Sequence, residues 1–472
     1  MVDFMKKKIY NFLSIIMKRE NMTKTINTEK NLTEGKILKT MLMFALPMIL
    51  GNLLQQIYNI ADTMVVGRFL GAEALAAVGS AYTLMTFLTS VLIGLCMGSG
   101  AVFSIAYGAG NEQELKKSIW VSFIFVGFVT IVMNIFVFVW TDPVLKLLQI
   151  PKEVYPLMET YIRIIFLGIV FVFLYNFFAC LLRAMGNSVV PLWFLAASSV
   201  LNIILDLWFV VGLGKGVEGA AAATVIAQMA AGIGIAVYTL WKVPSLRMEK
   251  KYMHMEKNIL NRVMQYSVLT CAQQSVMNFG ILMIQGLVNS FGTIIMAAFA
   301  VAVKIDTLAY MPAQEFGNAF SLFISQNYGA KKYHRIQKAS GMAVKVSVGF
   351  CLVISLIVWI FAAPLVKIFL ADPQPAIVSA GVDYLHIEGA FYWGIGCLFL
   401  LYGLYRGIEQ PAMSLILTVI SLGTRVVLAY VLAPMPQFGV NAIWWAIPIG
   451  WILADLTGFL YYRKIKKKIG TK

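Results

Sequence analysis

The sequence predicts an all-α polytopic membrane protein, twelve transmembrane helices in two six-helix pseudo-repeat lobes. Three observations carry this. Of 472 residues, 60% are hydrophobic and 13% charged, where a soluble domain carries about 25% charge; mean hydropathy is +0.79. Apolar runs of roughly 20 residues, the length of a membrane-crossing helix, recur along the whole chain. The second half also repeats the first. Tyr107-Gly108-Ala109 returns as Tyr328-Gly329-Ala330 at an offset of 221 residues, which also superposes Gly71 on Gly292 and Ala77 on Ala298. Further along, Leu182-Arg183-Ala184-Met185-Gly186 and Tyr405-Arg406-Gly407-Ile408-Glu409 align at 223.

The spans fall at about 39–67, 77–105, 118–140, 158–181, 189–212, 219–241, 260–289, 295–325, 340–362, 381–404, 412–433 and 440–462. Several exceed the bilayer thickness and predict tilt or extension into water. Six spans per half is an even number, so both halves enter from the same side. Such parallel repeats are related by an axis along the membrane normal, with substrate handled between them. The predicted organisation is a basic N-terminal tail (1–38), an N-lobe (39–241), a basic linker (242–259), a C-lobe (260–462) and a basic tail (463–472).

The net charge of +16 raises nucleic acid as a partner, but no basic stripe with interleaved aromatics sits on a soluble module. The basic residues instead gather in alternate loops: Lys116 and Lys117, Lys242 to Arg262, Lys331 to Lys338, and both tails. That pattern predicts cytoplasmic termini. The start, Lys6-Lys7-Lys8 followed by Ile9 to Met17, lacks a small-residue cleavage site and reads as an interfacial amphipathic stretch, with Met22 an alternative start. The five cysteines lie singly in apolar segments, and the three histidines have no metal-ligand spacing. Neither HExxH nor GxSxG occurs, and no cofactor other than an ion gradient is expected.

Polar residues inside spans are costly and are functional candidates by default. In span 1, Gln55, Asn59 and Asp62 follow i, i+4, i+7 spacing and share a face, which Asn52 extends. Pro47 lies in the same span, where it removes a backbone hydrogen bond and favours a kink. In span 5, Ser198, Asn202 and Asp206 share a face. Asn176 in span 4 and Thr224 and Gln228 in span 6 add amides and a hydroxyl. Two carboxylates with such oxygens nearby can hold Na⁺ or a proton; the structural reading of the amides and hydroxyls is interhelical hydrogen bonding. At the repeat offsets Asp62 faces Met283, Asn202 faces Arg425 and Asp206 faces Ala429. On this alignment only the N-lobe is equipped with a paired-carboxylate coupling site. The in-span charges of the second half, Lys304, Asp306, Glu315, Glu388 and Arg425, either pair with one another or line a cavity. Asp455, near the end of span 12, is expected to pair with tail lysines.

The run Pro47-x3-Gly51-x3-Gln55-x2-Tyr58-Asn59-x2-Asp62-Thr63-x2-Val66-Gly67 resembles the first helix of the multidrug and toxic compound extrusion (MATE) family. Asn202 to Asp206 with Gly212-Leu213-Gly214, Gly219-Ala220 and Ala223-Thr224 is similar to its fifth and sixth helices, and Gln326-Asn327-Tyr328-Gly329-Ala330 also fits. The resemblance covers about residues 35–462 and is closest to the bacterial DinF-like branch. It implies a V-shaped antiporter, acting as a monomer in the bacterial cytoplasmic membrane, that exports small hydrophobic or cationic compounds against H⁺ or Na⁺. In that branch the N-lobe site matches Asp62, Asn176, Asn202, Asp206 and Thr224, lined by Tyr58 and Tyr161, and protonation is linked to bending at Pro47. The other bacterial branch places an acid in helix 7, where this chain has Gln273, Gln274 and Gln285. The alternative within the superfamily is a flippase of lipid-linked saccharide, which needs a cationic central cavity; Lys304 and Arg425 are a thin basis for one.

Overall fold

The computed structural model describes residues 31–147, 153–243, 246, 249–370 and 374–470. The amphipathic stretch Ile9 to Met17, the alternative start Met22 and the tail basic residues up to Lys30, together with Lys152 and Arg247, lie outside the described residues. Among those described, ten unbroken helices are long and apolar enough to cross a membrane, and two bent helix pairs bring the total to twelve. Span 1 is Ile37–Phe69, span 2 Ala72–Gly108, span 3 Glu112–Leu147, span 6 Gly216–Lys242, span 7 Lys257–Asn289 and span 8 Thr293–Gly329. Span 9 is Tyr333–Ile368, span 11 Pro411–Leu432 and span 12 Gly439–Gly470. Span 5 is Val189–Asp206, continued by a π-helical turn, Leu207–Gly212.

Spans 4 and 10 differ from the continuous runs that hydropathy predicts. Span 4 is Tyr155–Leu167 followed by Ile169–Ala184, bent by 46°; span 10 is Pro375–Gly389 followed by Tyr392–Gly407, bent by 52°. The breaks are repeat-related, since Gly168 and Phe391 stand 223 apart. Both sides of each break are apolar, so hydropathy has nothing to mark it. At Gly168 a β-carbon would lie 3.0 Å from Val225 and 3.1 Å from the Gln228 side-chain oxygen, so the bend is packed closely against span 6.

The repeat is visible in the backbone. Gly71 (φ +87°) and Gly292 (φ +92°) open spans 2 and 8 in the left-handed region, which only glycine enters without strain. Two large apolar clusters form, one mainly in spans 1–6 and one mainly in spans 7–12, and a small third cluster joins spans 2, 3 and 7. Span 1 belongs to both large clusters. Met41, Phe44, Ala45 and Met48 pack in the second cluster, whereas Val66 packs in the first. Pro47 sits near the changeover. Span 1 is helical throughout at Pro47, and Ser188 from the start of span 5 donates to the Phe44 carbonyl at 2.7 Å, just before the proline.

The lobes are joined on the face that holds Leu32 and the end of span 12. There the two Tyr-Gly-Ala motifs meet. A β-carbon on Gly108 would come 2.0 Å from the Gln326 carbonyl oxygen, and one on Gly329 would come 2.0 Å from that of Ile105. Ile105 and Gln326 are themselves 221 apart, so one backbone contact is made twice. Spans 2 and 7 are similarly close: β-carbons on Gly94 and Gly98 would fall 2.6 Å from Cys271 Cα and 2.4 Å from the Tyr266 oxygen. Small residues allow such approach where the bilayer supplies no hydrophobic drive between helices. Gln326 bridges the lobes, accepting from the Leu32 amide at 2.9 Å and donating to the Ala184 carbonyl at 2.6 Å. Arg262, at the start of span 7, pairs with Glu114 and with Glu409. The linker is latched to span 3 by Lys116–Glu249 at 3.1 Å and Lys117–Glu256 at 2.7 Å. Lys251 and Lys116 together hold the Glu249 carboxyl below its ordinary value.

Candidate functional site: a carboxylate pair in the N-lobe

Span 1 carries Tyr58, Asn59 and Asp62 on one face, and span 5 brings Asn202 and Asp206 against it. The Asp62 and Asp206 carboxyls meet side by side. Asp206 is fully buried, at the point where the α-helix widens into the π-turn; such π-segments are frequent at functional sites. Asp62 is half-buried and so stands on the more accessible side of the pair. Asn202 connects the acids to span 6. With its amide nitrogen turned to Asp206 it donates to Oδ2 at 2.8 Å, while its oxygen accepts from the Thr224 backbone and hydroxyl at 3.3 Å each. The Tyr58 hydroxyl reaches Thr224, and the buried Tyr161 lies beside Asp62 and Tyr58.

Each acid keeps one buried oxygen, Oδ1, without a hydrogen-bond partner. No cation acts on either carboxyl among the described residues. Two unpaired carboxyl oxygens, with the Tyr58 and Thr224 hydroxyls nearby, form a hard, oxygen-rich site that suits a proton or Na⁺. No group of three or more His, Cys, Asp or Glu able to hold a metal occurs among the described residues, so Na⁺ would depend on neutral oxygens for its remaining ligands.

Several expected members stand elsewhere. Gln55 is exposed, and Asn59 donates to the Tyr82 hydroxyl at 3.2 Å rather than to the acids. The Asn176 amide bonds its own helix, to the Val172 carbonyl at 2.9 Å, and no hydrogen bond joins it to the pair. Seven-residue spacing placed Gln55 and Asp62 on one face but could not tell which end of that face was covered.

The C-lobe brings three of its in-span charges, Asp306, Glu388 and Arg425, together. It too holds a carboxylate pair, from positions that are not repeat-mates of the first. Asp306 of span 8 and Glu388 of span 10 meet in the core, each 2% exposed. The Tyr392 hydroxyl donates to Asp306, Tyr384 bonds the pair, and the buried Arg425 acts on both carboxyls. The acids lie 82 residues apart, so no local spacing announces them. Tyr384 was findable: it is Tyr161 displaced by 223. Lys304 is exposed and stands outside this cluster, and Glu315 faces Arg183 instead. Asp455 has both oxygens buried without partners, so no tail lysine pairs with it among the described residues.

Twelve spans in two related halves, with buried acids inside the apolar spans and close backbone contact between the lobes, are the build of a polytopic membrane transporter. The chain belongs to the MatE family, whose pattern matches residues 47–208 and 267–431, the family that the motifs of span 1 resemble. It is 29% identical over 439 residues to the probable multidrug resistance protein YpnP of Bacillus subtilis, covering 91% of this chain and 96% of that one. It is 24% identical over 415 residues to the probable multidrug resistance protein NorM of Thermotoga maritima, covering 87% and 88%. Its fold superposes on that of a MOP superfamily transporter from Pyrococcus furiosus with a TM-score of 0.88 at 23% identity, covering 93% and 98%.

Proposed function

We propose that the protein exports small hydrophobic or cationic compounds from the bacterial cytoplasm in exchange for H⁺ or Na⁺, by alternating access of its two lobes. One observation carries this reading: a carboxylate pair in the N-lobe that no cation among the described residues compensates. Such a pair must take its positive charge from elsewhere, and a coupling ion is the available source. The names of the relatives, which speak of multidrug resistance, supply the cargo class. The basic loops gather on the closed face, which supports reading that face as the cytoplasmic one.

The sequence of events follows from the placement of span 1. The coupling ion reaches half-buried Asp62 first and is shared with buried Asp206. Neutralising the pair removes the repulsion between the carboxyls and lets spans 1 and 5 close on each other. Span 1 is held at its start in the C-lobe cluster and at Asp62 in the N-lobe site, with Pro47 between. Bending there narrows the N-lobe cavity, expels the substrate and loosens the lobes. We place the protein in the DinF-like branch and take it to act as a monomer with cytoplasmic termini. The flippase alternative is not favoured. A pyrophosphate headgroup requires a cluster of cations; of the two that offered a basis for one, Lys304 stands exposed outside the C-lobe cluster and Arg425 acts on Asp306 and Glu388.

Purified protein in proteoliposomes, loaded with a fluorescent organic cation, tests this with a pH gradient and a Na⁺ gradient imposed separately. Export is expected to follow one of them. Efflux indifferent to both gradients overturns the coupling.

A further inference from the structure

The repeat gives each lobe an arginine at the same place, and only one of the two has an acid. Arg183 of span 4 and Arg406 of span 10 are mates at 223. Arg183 faces Glu315 of span 8, whose Oε1 accepts from Asn52 of span 1 at 3.0 Å and from Asn318 at 3.2 Å. At 221 the mate of Asn52 is Gln273, which accepts from Arg406 at 3.3 Å. The mate of Glu315 is Gly94. No side chain fits there, because a β-carbon would fall 2.6 Å from Cys271 Cα. Arg406 therefore keeps the position of Arg183 without its carboxylate. It is 4% exposed, its Nε has no partner, and no acid acts on it among the described residues. A guanidinium does not lose its proton in a protein, and a buried charge without a counter-charge is costly. With no described residue in place to supply that counter-charge, a small anion from solution is the remaining source.

Arg406 lines a hollow between spans 7, 8 and 10 with internal room of about 20 Å³. One water needs about 10–15 Å³ of such room, so the hollow takes a single monatomic anion and excludes sulfate and organic carboxylates. Gln273, Gln274 and Gln314 line it with amides, whose N–H groups are donors. Phe399 and Tyr402 close further sides with rings, which leave the charge poorly screened. A buried guanidinium beside amide donors, in a space sized for one atom, offers a halide charge-assisted hydrogen bonds. Glu315 does not oppose an anion there, because it is engaged by Asn52 and Asn318 and faces Arg183.

We propose that Arg406 holds a halide, chloride under cellular conditions, as a resident counter-ion of the C-lobe. The ion is neither cargo nor coupling ion, so the inference stands apart from the export reading above. Equilibrium binding of radiolabelled chloride to the purified full-length protein in sodium gluconate tests it directly. A single chloride per chain should bind, and bromide should displace it whereas sulfate should not. Arg406→Gln should weaken binding roughly tenfold or more, and Arg406→Lys, which keeps a charge, should weaken it less. No saturable chloride binding to the wild type, or equal binding to Arg406→Gln, overturns the site. Displacement by sulfate as readily as by bromide overturns it too, since the hollow has no room for sulfate.

The competition between halides and sulfate needs no variant and decides the matter even if Arg406→Gln does not fold. Gln314→Leu gives a second test that leaves the arginine in place: it removes one amide from the lining and should weaken chloride binding, and unchanged affinity overturns the assignment to this hollow. Thermal unfolding reads the same ion independently. Replacing chloride by gluconate at equal ionic strength should lower the Tm of the wild type more than that of a folded Arg406→Gln, because a ligand of the native state stabilises it; equal falls overturn the site. Chloride trapped in vesicles should stay inside during gradient-driven dye export. Chloride leaving in step with the dye would make it cargo and overturn the counter-ion role, whereas vesicles that export no dye while the protein still binds chloride would fell the export reading and leave this site standing.

Discussion

In the N-lobe, Asp62 and Asp206 meet among a tyrosine, a threonine and an asparagine, with no cation of the described residues acting on them. In the C-lobe, Asp306 and Glu388 meet among two tyrosines, with Arg425 acting on both. The first pair has one half-buried member; both members of the second are 2% exposed. Each pair thus concentrates negative charge in a medium where charge is costly, and the cost is met in opposite ways. Arg425 is part of the fold and stays. Whatever neutralises Asp62 and Asp206 must arrive and can leave. The difference teaches that a carboxylate pair in a membrane is not by itself a coupling site; accessibility and the absence of a resident counter-charge make it one.

Four substitutions would break or sharpen that contrast. The largest effect is expected at Asp62→Asn, which removes the accessible charge while keeping the shape. Gradient-driven dye export should fall to the level of empty vesicles, with folding intact by size-exclusion profile. Next is Arg425→Gln. It leaves Asp306 and Glu388 buried without their cation, and stability should drop by about 1–3 kcal/mol, seen as a lower Tm in detergent. An unchanged Tm would mean that Arg425 does not compensate the C-lobe pair. Asn202→Ala takes the donor from Asp206 and the link to Thr224. Export should slow by roughly tenfold, the worth of a hydrogen bond to a charged group. Tyr58→Phe, which loses only the contact with Thr224, should cost about two- to threefold in the same assay; a larger loss would place Tyr58 directly on the coupling ion.

Much of this contrast was legible in the sequence, and the reason differs by element. The spans were legible because bilayer thickness enforces long apolar runs. The repeat was legible because Gly71, Gly292, Gly108 and Gly329 occupy backbone positions that tolerate no side chain or no other residue. Asp62 and Asp206 stood out because a carboxylate is conspicuous in an apolar run. The breaks in spans 4 and 10 were hidden because apolar residues flank both sides of Gly168 and of Phe391. That Asp306 and Glu388 are the ones that meet was hidden, because they come from different spans and their repeat-mates carry no acid. The idle position of Asn176 was hidden too, since an amide that bonds its own helix has the same sequence signature as one that reaches across. At Glu409 the chain departs from its mate Gly186: both are left-handed, at φ +64° and +84°, and the non-glycine residue is the one that pairs with Arg262.

The central claim is that the N-lobe pair, and not the C-lobe pair, carries the coupling ion. Its most direct test is dye export in proteoliposomes under an imposed ion gradient, with Asp206→Asn and Asp306→Asn measured side by side at equal protein content. The account predicts that Asp206→Asn abolishes gradient-driven export and that Asp306→Asn retains it. Retained export in Asp206→Asn together with its loss in Asp306→Asn would contradict it and move the coupling site to the C-lobe.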